Sequence, residues 1–115
     1  MTKFYHYSQN NSGGIFIFNN EVSTNVIIEA HSALEANSIA EEHGIYFDGC
    51  DRGIDCDCCG DRWSRIDGRT KGTTEPNIYG QSIEESLKSE SRFRWNNKDG
   101  VEVIVHYLNG EVKKY

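Results

Sequence analysis

Four cysteines fall within ten residues, beginning at Cys50 and ending at Cys59. The last part of this segment has the Cys-x-x-Cys-Gly spacing of a zinc knuckle, in which two thiolates hold the metal and the glycine lets the chain turn away. Structural zinc takes four ligands and a second Cys-x-x-Cys is absent, so two other interpretations stay open: buried free thiols, and a disulfide or redox pair. The predicted zinc ligands are Cys50, Cys56, Cys58 and Cys59, with His43 or His106 as substitutes for the fourth.

Other residues suit a small ligand that carries both phosphate and a base. Arginine guanidinium groups bind phosphate through paired N–H donors and stack on aromatic rings, and glycine-rich loops present main-chain N–H groups to anions. These residue types occur in an early loop, directly after the cysteines and near residue 93. The predicted ligand-binding residues are Asn10, Asn11, Ser12, Gly13, Asp61, Arg62, Trp63, Arg65, Arg92 and Arg94.

Each of these sets also has an ordinary structural explanation. The early loop has the composition of a hairpin turn, which needs no ligand. Along a strand, aromatic residues that face the core alternate with arginines that face solvent or pair with acids. Both explanations stay open at this point.

The sequence gives little support to catalysis. The four histidines, His6, His31, His43 and His106, lack the spacing of a metalloenzyme, and nothing in the pattern orients a nucleophile toward a base. We therefore expect a binding protein and not an enzyme.

Charge and hydropathy limit the partners. Lys and Arg total 12 against 18 Asp and Glu, for a formal net charge of -6. Proteins that bind nucleic acid directly usually carry an excess of basic residues, so no such binding is expected. No apolar run is long enough to span a membrane, and residues 1–7 do not resemble a signal peptide. A reducing cytoplasm is the expected compartment.

The elements that must position these residues can be placed along the chain. Ser32 and Glu35 form a capping-box pattern, an apolar face follows, and Gly44 is a stop, which together predict the main helix. The same pattern at Ser82 and Glu85 predicts a short second helix near residues 83–87. A two-residue turn is predicted at Asn109-Gly110. Strands are predicted at residues 3–7, 15–18, 24–30, 45–47, 62–66, 92–95, 101–108 and 111–115.

This order of elements predicts one α+β domain covering residues 1–115, an antiparallel sheet with the main helix and the short helix packed on it. In the strand at 101–108, one face is apolar while the other mixes Glu102, Ile104, His106 and Leu108. A subunit partner is one way to cover the mixed face, so a homo-oligomer is expected.

Several segments resemble a group of small proteins encoded by tailed bacteriophages. They are residues 5–14 (YHYSQNNSGG), 33–44, 46–50 (YFDGC), 58–63 (CCGDRW) and the Tyr79-Gly80 pair, together with Gly53, Asp55 and Cys56. The resemblance covers residues 4–80 and does not extend to the chain from Arg92 onward.

The resemblance implies a viral origin and a place in the host cytoplasm. Small early phage proteins of this type often counter host defences, some by binding cyclic nucleotides or cyclic ADP-ribose derivatives without cleaving them. Together with the arginine, aromatic and asparagine residues, this implies sequestration of a nucleotide-derived immune signal. The alternative is an acidic protein that inhibits a host nuclease or polymerase by direct contact, with the cysteine segment in a purely structural role.

Overall fold

The computed structural model describes residues 2–10, 16–55, 60–85 and 101–115. The fold is α+β, as predicted. Residues 83–85 form a short helical turn where the second helix was expected. The strand predicted at 92–95 lies outside the described residues. The elements, in chain order, are β1 (Lys3–Ser8), β2 (Asn25–Ala30), α1 (Ala33–Glu42), β3 (Asn77–Ile78), β4 (Gln81–Ser82), β5 (Val103–His106) and β6 (Val112–Lys114).

The main sheet has four strands in the order β1-β2-β5-β6, while β3 and β4 pair in a second small sheet. Neighbouring strands run antiparallel except β2 and β5, which are parallel, so the sheet is mixed and not purely antiparallel. A parallel pair needs a long crossover between its strands. The chain from Ala30 to Val103, which contains α1, provides that crossover.

The sheet is buried on both faces. On one face, Tyr5, Tyr7, Val26 and Ile28 pack with the alanines of α1. On the other, Ile27 and the β5 valines pack with Ile78 and Ile83, which come from β3 and the short helical turn. Alternate residues of a strand point to opposite faces, so β2 contributes to both cores.

The local signals for α1 are confirmed. Ser32 is the N-cap, and its Oγ accepts a hydrogen bond from the Glu35 N–H at 3.1 Å. The Glu35 carboxylate accepts in return from the His31 N–H, one residue before the expected position. The helix ends at Glu42, and Gly44 takes the left-handed conformation at φ 93° that glycine adopts without strain.

Strands predicted at 45–47 and 62–66 do not form, and neither do residues 16–18 of the strand predicted at 15–18. In two of these segments a side-chain amide takes the place of a strand partner. Ile17 donates its N–H to Gln9 Oε1 at 2.6 Å, and Gln9 Nε2 donates to the Ile17 carbonyl at 3.0 Å. Asn37 holds Ile66 in the same two-bond manner. A side-chain amide therefore holds each of these two segments, and neither joins a sheet.

The mixed face of β5 is covered within the chain. Ile104 and His106 are buried, and the His106 ring stacks on His43 at the end of α1, with ring centroids 3.8 Å apart. His106 Nε2 also lies 2.7 Å from the Glu21 carbonyl oxygen. Within β5, His43 and Glu21 of the same chain cover His106, so this part of the mixed face does not need a subunit partner. Leu108, beyond the strand, is 41% exposed, and the homo-oligomer stays a prediction.

Candidate functional site

A groove follows the outer edge of β1, the end strand of the main sheet. Two adjoining cavities form it, and both are lined by His6 and Tyr79. The Lys71 cavity, of about 490 Å³, is further lined by Phe4, Ile66, Asp67 and Lys71. The Arg62 cavity, of about 470 Å³, is further lined by Ser8, Asn10, Asp61, Arg62 and Ser64. We call the two cavities together the β1 groove.

The groove exists because the chain touches the edge of β1 at two points and bows away between them. At one end, Phe4 and Thr73 exchange main-chain hydrogen bonds of 2.8 and 2.9 Å. At the other, the Asn10 N–H donates to the Arg62 carbonyl at 2.8 Å. Next to Thr73, Gly72 has φ +70°, and a Cβ there would lie 2.8 Å from the Lys3 Cβ. Only glycine fits this turn, which directs the chain away from β1.

Tyr79 separates the two cavities. It and Gly80 connect β3 to β4 as a two-residue turn, with φ of 50° and 84°. A left-handed conformation is unusual for a bulky aromatic residue. The turn leaves Tyr79 79% exposed, with its hydroxyl donating to Ser8 Oγ at 2.9 Å and its ring edge-on to His6 at 4.9 Å. Such local strain is often found at functional sites.

Arg62 is held by a buried polar network. Its Nε donates to the Tyr46 hydroxyl at 3.0 Å, and its NH1 donates to Gln9 Oε1 at 3.1 Å. Asp55 lies 3.8 Å from Nε, and the side chains of Arg62 and Asp55 are 8% and 1% exposed. The Asp55 carboxylate also accepts the Arg62 N–H at 2.7 Å. The buried guanidinium therefore has a countercharge and fixed neighbours where it borders the groove.

Carboxylates bond the described chain before and after residues 56–59. The Tyr46 hydroxyl donates to Asp55 Oδ1 at 2.6 Å, and burial followed by this bond raises the Tyr46 pKa, which keeps the hydroxyl protonated as a donor. The Cys50 N–H donates to Asp61 Oδ1 at 2.9 Å. At Gly49 a Cβ would lie 1.9 Å from Asp55 Oδ2, so this position also requires glycine.

Most of the predicted zinc ligands lie outside the described part of the chain. This is true of Cys56, Cys58 and Cys59, while Cys50 is half-buried at the start of the loop. Within residues 2–10, 16–55, 60–85 and 101–115, no group of three or more His, Cys, Asp or Glu is arranged to hold a metal. Zinc stays a prediction.

His6 faces the groove in a defined protonation state. Its Nε2 lies 2.7 Å from Asn25 Oδ1. Because a carbonyl oxygen only accepts, Nε2 carries the proton and Nδ1 keeps a lone pair. Burial lowers the pKa of His6, against the opposing effect of the bond to Asn25, so the ring is neutral near pH 7.

The structure brings three of the predicted ligand-binding residues together. Asn10, Asp61 and Arg62 line one cavity, although Asn10 lies 51 residues before Asp61. Asn10 Nδ2 donates to the Asp61 carbonyl at 3.2 Å, which joins the two segments.

Two other predicted residues lie elsewhere. Trp63 is 2% exposed and belongs to the core beneath α1, so its ring offers no face to a ligand. Arg65 pairs with Asp48 at 3.0 Å and lies over the Phe47 ring at 5.1 Å, outside the lining of the groove. The remaining predicted residues, Asn11, Ser12, Gly13, Arg92 and Arg94, lie outside the described residues.

Sequence reasoning missed Tyr79, the exposed aromatic residue in the groove. Tyr79-Gly80 between two short runs is the pattern of a two-residue hairpin turn, and it would have placed Tyr79 at an exposed tip. No local sequence pattern marks His6 and Ser8 as groove residues, because their position there depends on which edge of β1 has no neighbouring strand.

Comparison with known proteins assigns the chain to a family. No helix in the described segments is long and apolar enough to cross a membrane. No curated protein and no solved structure matches the chain. A family model described as a domain of unknown function, DUF7296, matches residues 2–115, and the chain belongs to that family.

Proposed function

We propose that this protein sequesters a small nucleotide-derived ligand in the β1 groove and does not cleave it. The observation that carries the proposal is the meeting of Asn10, Asp61 and Arg62 in one cavity beside the exposed Tyr79. Arginine and amide donors next to an aromatic ring suit a ligand that has both phosphate and base. The resemblance to phage proteins extends the proposal to an immune signal, such as a cyclic nucleotide or cyclic ADP-ribose derivative, bound in the host cytoplasm.

The size of the groove fits such a ligand. Its cavities of about 490 and 470 Å³ each fall in the range of small-molecule sites, about 300–1,000 Å³. They adjoin at His6 and Tyr79, so one ligand can extend across both. Each cavity is lined by one basic and one acidic residue, Arg62 with Asp61 in one and Lys71 with Asp67 in the other.

The hydrogen bonds of His6 and Ser8 favour a protein that binds its ligand over one that cleaves it. His6 Nε2 is committed to Asn25, and Ser8 Oγ accepts from Tyr79. Neither bond is the contact between nucleophile and base that covalent catalysis uses. A ligand in this groove meets hydrogen-bonding groups and an aromatic ring.

Isothermal titration against cyclic dinucleotides, cyclic trinucleotides and cyclic ADP-ribose isomers tests the proposal. We expect at least one to bind, and chromatography to recover it intact after incubation. Asn10→Ala should weaken binding, while Arg69→Ala should not, since Arg69 pairs with Asp67 in an exposed turn. Absence of heat with every ligand, together with a host protein captured in equal amount from lysate, would replace sequestration with direct inhibition of that protein.

Two further parts of the proposal concern assembly and metal. We propose a homo-oligomer, because a symmetric interface can enclose a sequestered ligand from two sides. We also propose a structural zinc on the cysteine segment. Native mass spectrometry measures the subunit number, bound zinc and any co-purified nucleotide in one experiment.

A further inference from the structure

The hydrogen bonds at the two ends of β1 show which of its residues direct their main-chain groups toward the groove. The Gln9 N–H donates to the Thr24 carbonyl, which continues the pairing with β2. Phe4 and Asn10 instead bond outward, to Thr73 and Arg62. Successive residues of a strand direct their main-chain groups to opposite sides, so the even-numbered residues of β1 face the groove.

His6 and Ser8 are therefore the outward-facing residues between the two closed ends. Within the described part of the chain, no hydrogen bond reaches the main-chain N–H or carbonyl of either residue from the groove side. Both residues line the Arg62 cavity. The gap presents a carbonyl acceptor on His6 and an N–H donor on Ser8, on the same side of the strand.

The length of the gap indicates what can fill it. A strand rises about 3.3 Å per residue, so the distance from His6 to Ser8 is about 7 Å. A peptide added as a new strand would need a longer edge, and here Thr73 and Arg62 already occupy both ends. A planar heterocycle with a hydrogen-bond donor beside an acceptor fits a short gap closed at both ends.

The surroundings give such a ring an orientation. Phe4 and Ile66 provide apolar contacts in the Lys71 cavity, and the exposed Tyr79 ring stands between the cavities. Arg62, Asn10 and Ser64 lie in the other cavity, where donors suit an anion.

We propose that the gap in β1 is a nucleobase site: a base places its donor and acceptor edge against the His6 carbonyl and the Ser8 N–H, with its phosphate toward Arg62. The inference depends on the proposed function and assigns the two ends of the ligand within the same groove. It makes base recognition a property of the main chain, with Tyr79 as the stacking surface.

Amide hydrogen exchange, measured by NMR on the free protein, tests the gap itself. The Tyr5, Tyr7 and Gln9 amides should exchange slowly, while those of His6 and Ser8 exchange fast. The strand thus contains its own control. A Ser8 amide protected as well as that of Tyr7 would overturn the inference whatever the protein binds.

Ligand binding gives the second test, with cyclic di-AMP, cyclic di-GMP and base-free ribose 5-phosphate as probes. We expect a cyclic dinucleotide to protect the Ser8 amide and to bind at least about tenfold more tightly than ribose 5-phosphate, as base stacking alone allows. Equal affinities, or binding without protection at Ser8, would overturn the base site and leave sequestration of an anion standing. No binding by any of these three probes would overturn the base site, and sequestration itself would fall only if the cyclic trinucleotides and cyclic ADP-ribose isomers also gave no heat.

A pair of variants isolates the Ser8 N–H. Ser8→Pro removes it from an edge where proline is tolerated, and Ser8→Ala removes only the hydroxyl. Both lose the bond from Tyr79, so the difference between them reports the main-chain donor. With circular dichroism confirming that both fold, we expect Ser8→Pro to bind the cyclic dinucleotide about tenfold more weakly than Ser8→Ala, the loss typical of one buried hydrogen bond. Equal binding by the two folded variants would contradict the inference.

Discussion

The side chain of Asn37 bonds both main-chain groups of Ile66, donating from Nδ2 to its carbonyl and accepting from its N–H at Oδ1, each at 2.9 Å. The same oxygen accepts the Tyr7 hydroxyl at 2.8 Å. Burial raises the pKa of Tyr7, so that hydroxyl stays protonated and remains a donor. One buried residue of α1 therefore connects the helix, β1 and the wall of the groove.

Asn37→Ala should destabilise the protein by about 3 kcal/mol, because it leaves buried donors and an acceptor without partners. Chemical denaturation measures the change. Ser38→Ala, at the exposed neighbouring position, should change the free energy of unfolding by less than about 0.5 kcal/mol. Equal effects of the two substitutions would contradict the role given to Asn37.

Tyr79→Asn should separate stability from binding. Asparagine suits the left-handed turn position, and the relief of strain offsets the lost bond to Ser8, so stability should change by less than about 1 kcal/mol. Ligand affinity should fall at least about tenfold, because the stacking surface is gone. Tyr79→Phe keeps the ring and should retain most of the affinity. Calorimetry on both variants decides, and unchanged binding by Tyr79→Asn would exclude stacking on this ring.

Gly72→Ala should cost more than Gly80→Ala, although both glycines have positive φ. An added Cβ at Gly80 meets nothing within 4 Å, so only the backbone strain applies, about 1 kcal/mol. At Gly72 the Cβ also collides with Lys3 and Tyr5, which adds about 1–3 kcal/mol. Thermal unfolding of the two variants gives the comparison. Equal losses would mean that the edge of β1 yields easily at this point.

Asp55→Asn should destabilise the protein by about 3 kcal/mol, because it leaves the buried Arg62 without its countercharge. Asp51→Asn, an exposed position in the same loop, should have little effect. Urea denaturation compares them. If the two behave alike, the loop does not depend on the Asp55 carboxylate.

Stability should fall as the pH drops below 6.5. Burial lowers the pKa of His106 from its ordinary value of 6.5, with the nearby charges of His43 and Lys114 acting in the same direction and the Glu21 carbonyl and carboxylate opposing. Below pH 6.5 the unfolded chain therefore binds more protons than the folded one, and stability present above that pH is lost progressively. The lowered pKa of His6 acts in the same direction.

Unfolding midpoints between pH 7.5 and 5.5 test this expectation. His106→Gln keeps a donor for the Glu21 carbonyl and should flatten the dependence, while His31→Gln, at an exposed position, should leave it in place. A dependence that survives His106→Gln unchanged would assign the effect to other groups.

The parts of the fold that could be predicted are those with local causes. The N-cap at Ser32 and the turn at Gly44 define α1 within a few residues of sequence. By contrast, residues 62–66 look like a strand because their side chains alternate, but Asn37 takes the place of a partner strand from 29 residues away. No local pattern reveals such a bond.

The candidate site was predicted in the same uneven way. Side-chain chemistry predicts Asn10, Asp61 and Arg62 as ligand-binding residues, and the structure places all three in the lining of one cavity. The same reasoning predicts the Trp63 ring as a stacking surface for the ligand. The alternative from strand alternation is a core residue, and Trp63 lies in the core. The exposed aromatic residue is instead Tyr79, because it lies in the turn between β3 and β4. The sequence alone does not show that this turn lies beside β1.

The parallel pairing of β2 with β5 has a consequence for how the protein is made. Residues 103–106 take an interior position in a sheet whose first two strands lie before residue 31. Until β5 leaves the ribosome, Ile27 has no valines to pack against on its side of the sheet. A nascent chain that ends before β5 should therefore lack a complete core and stay sensitive to protease. Folding of this sheet should begin only after β5 has been synthesised, since contacts this distant in sequence form late and slowly.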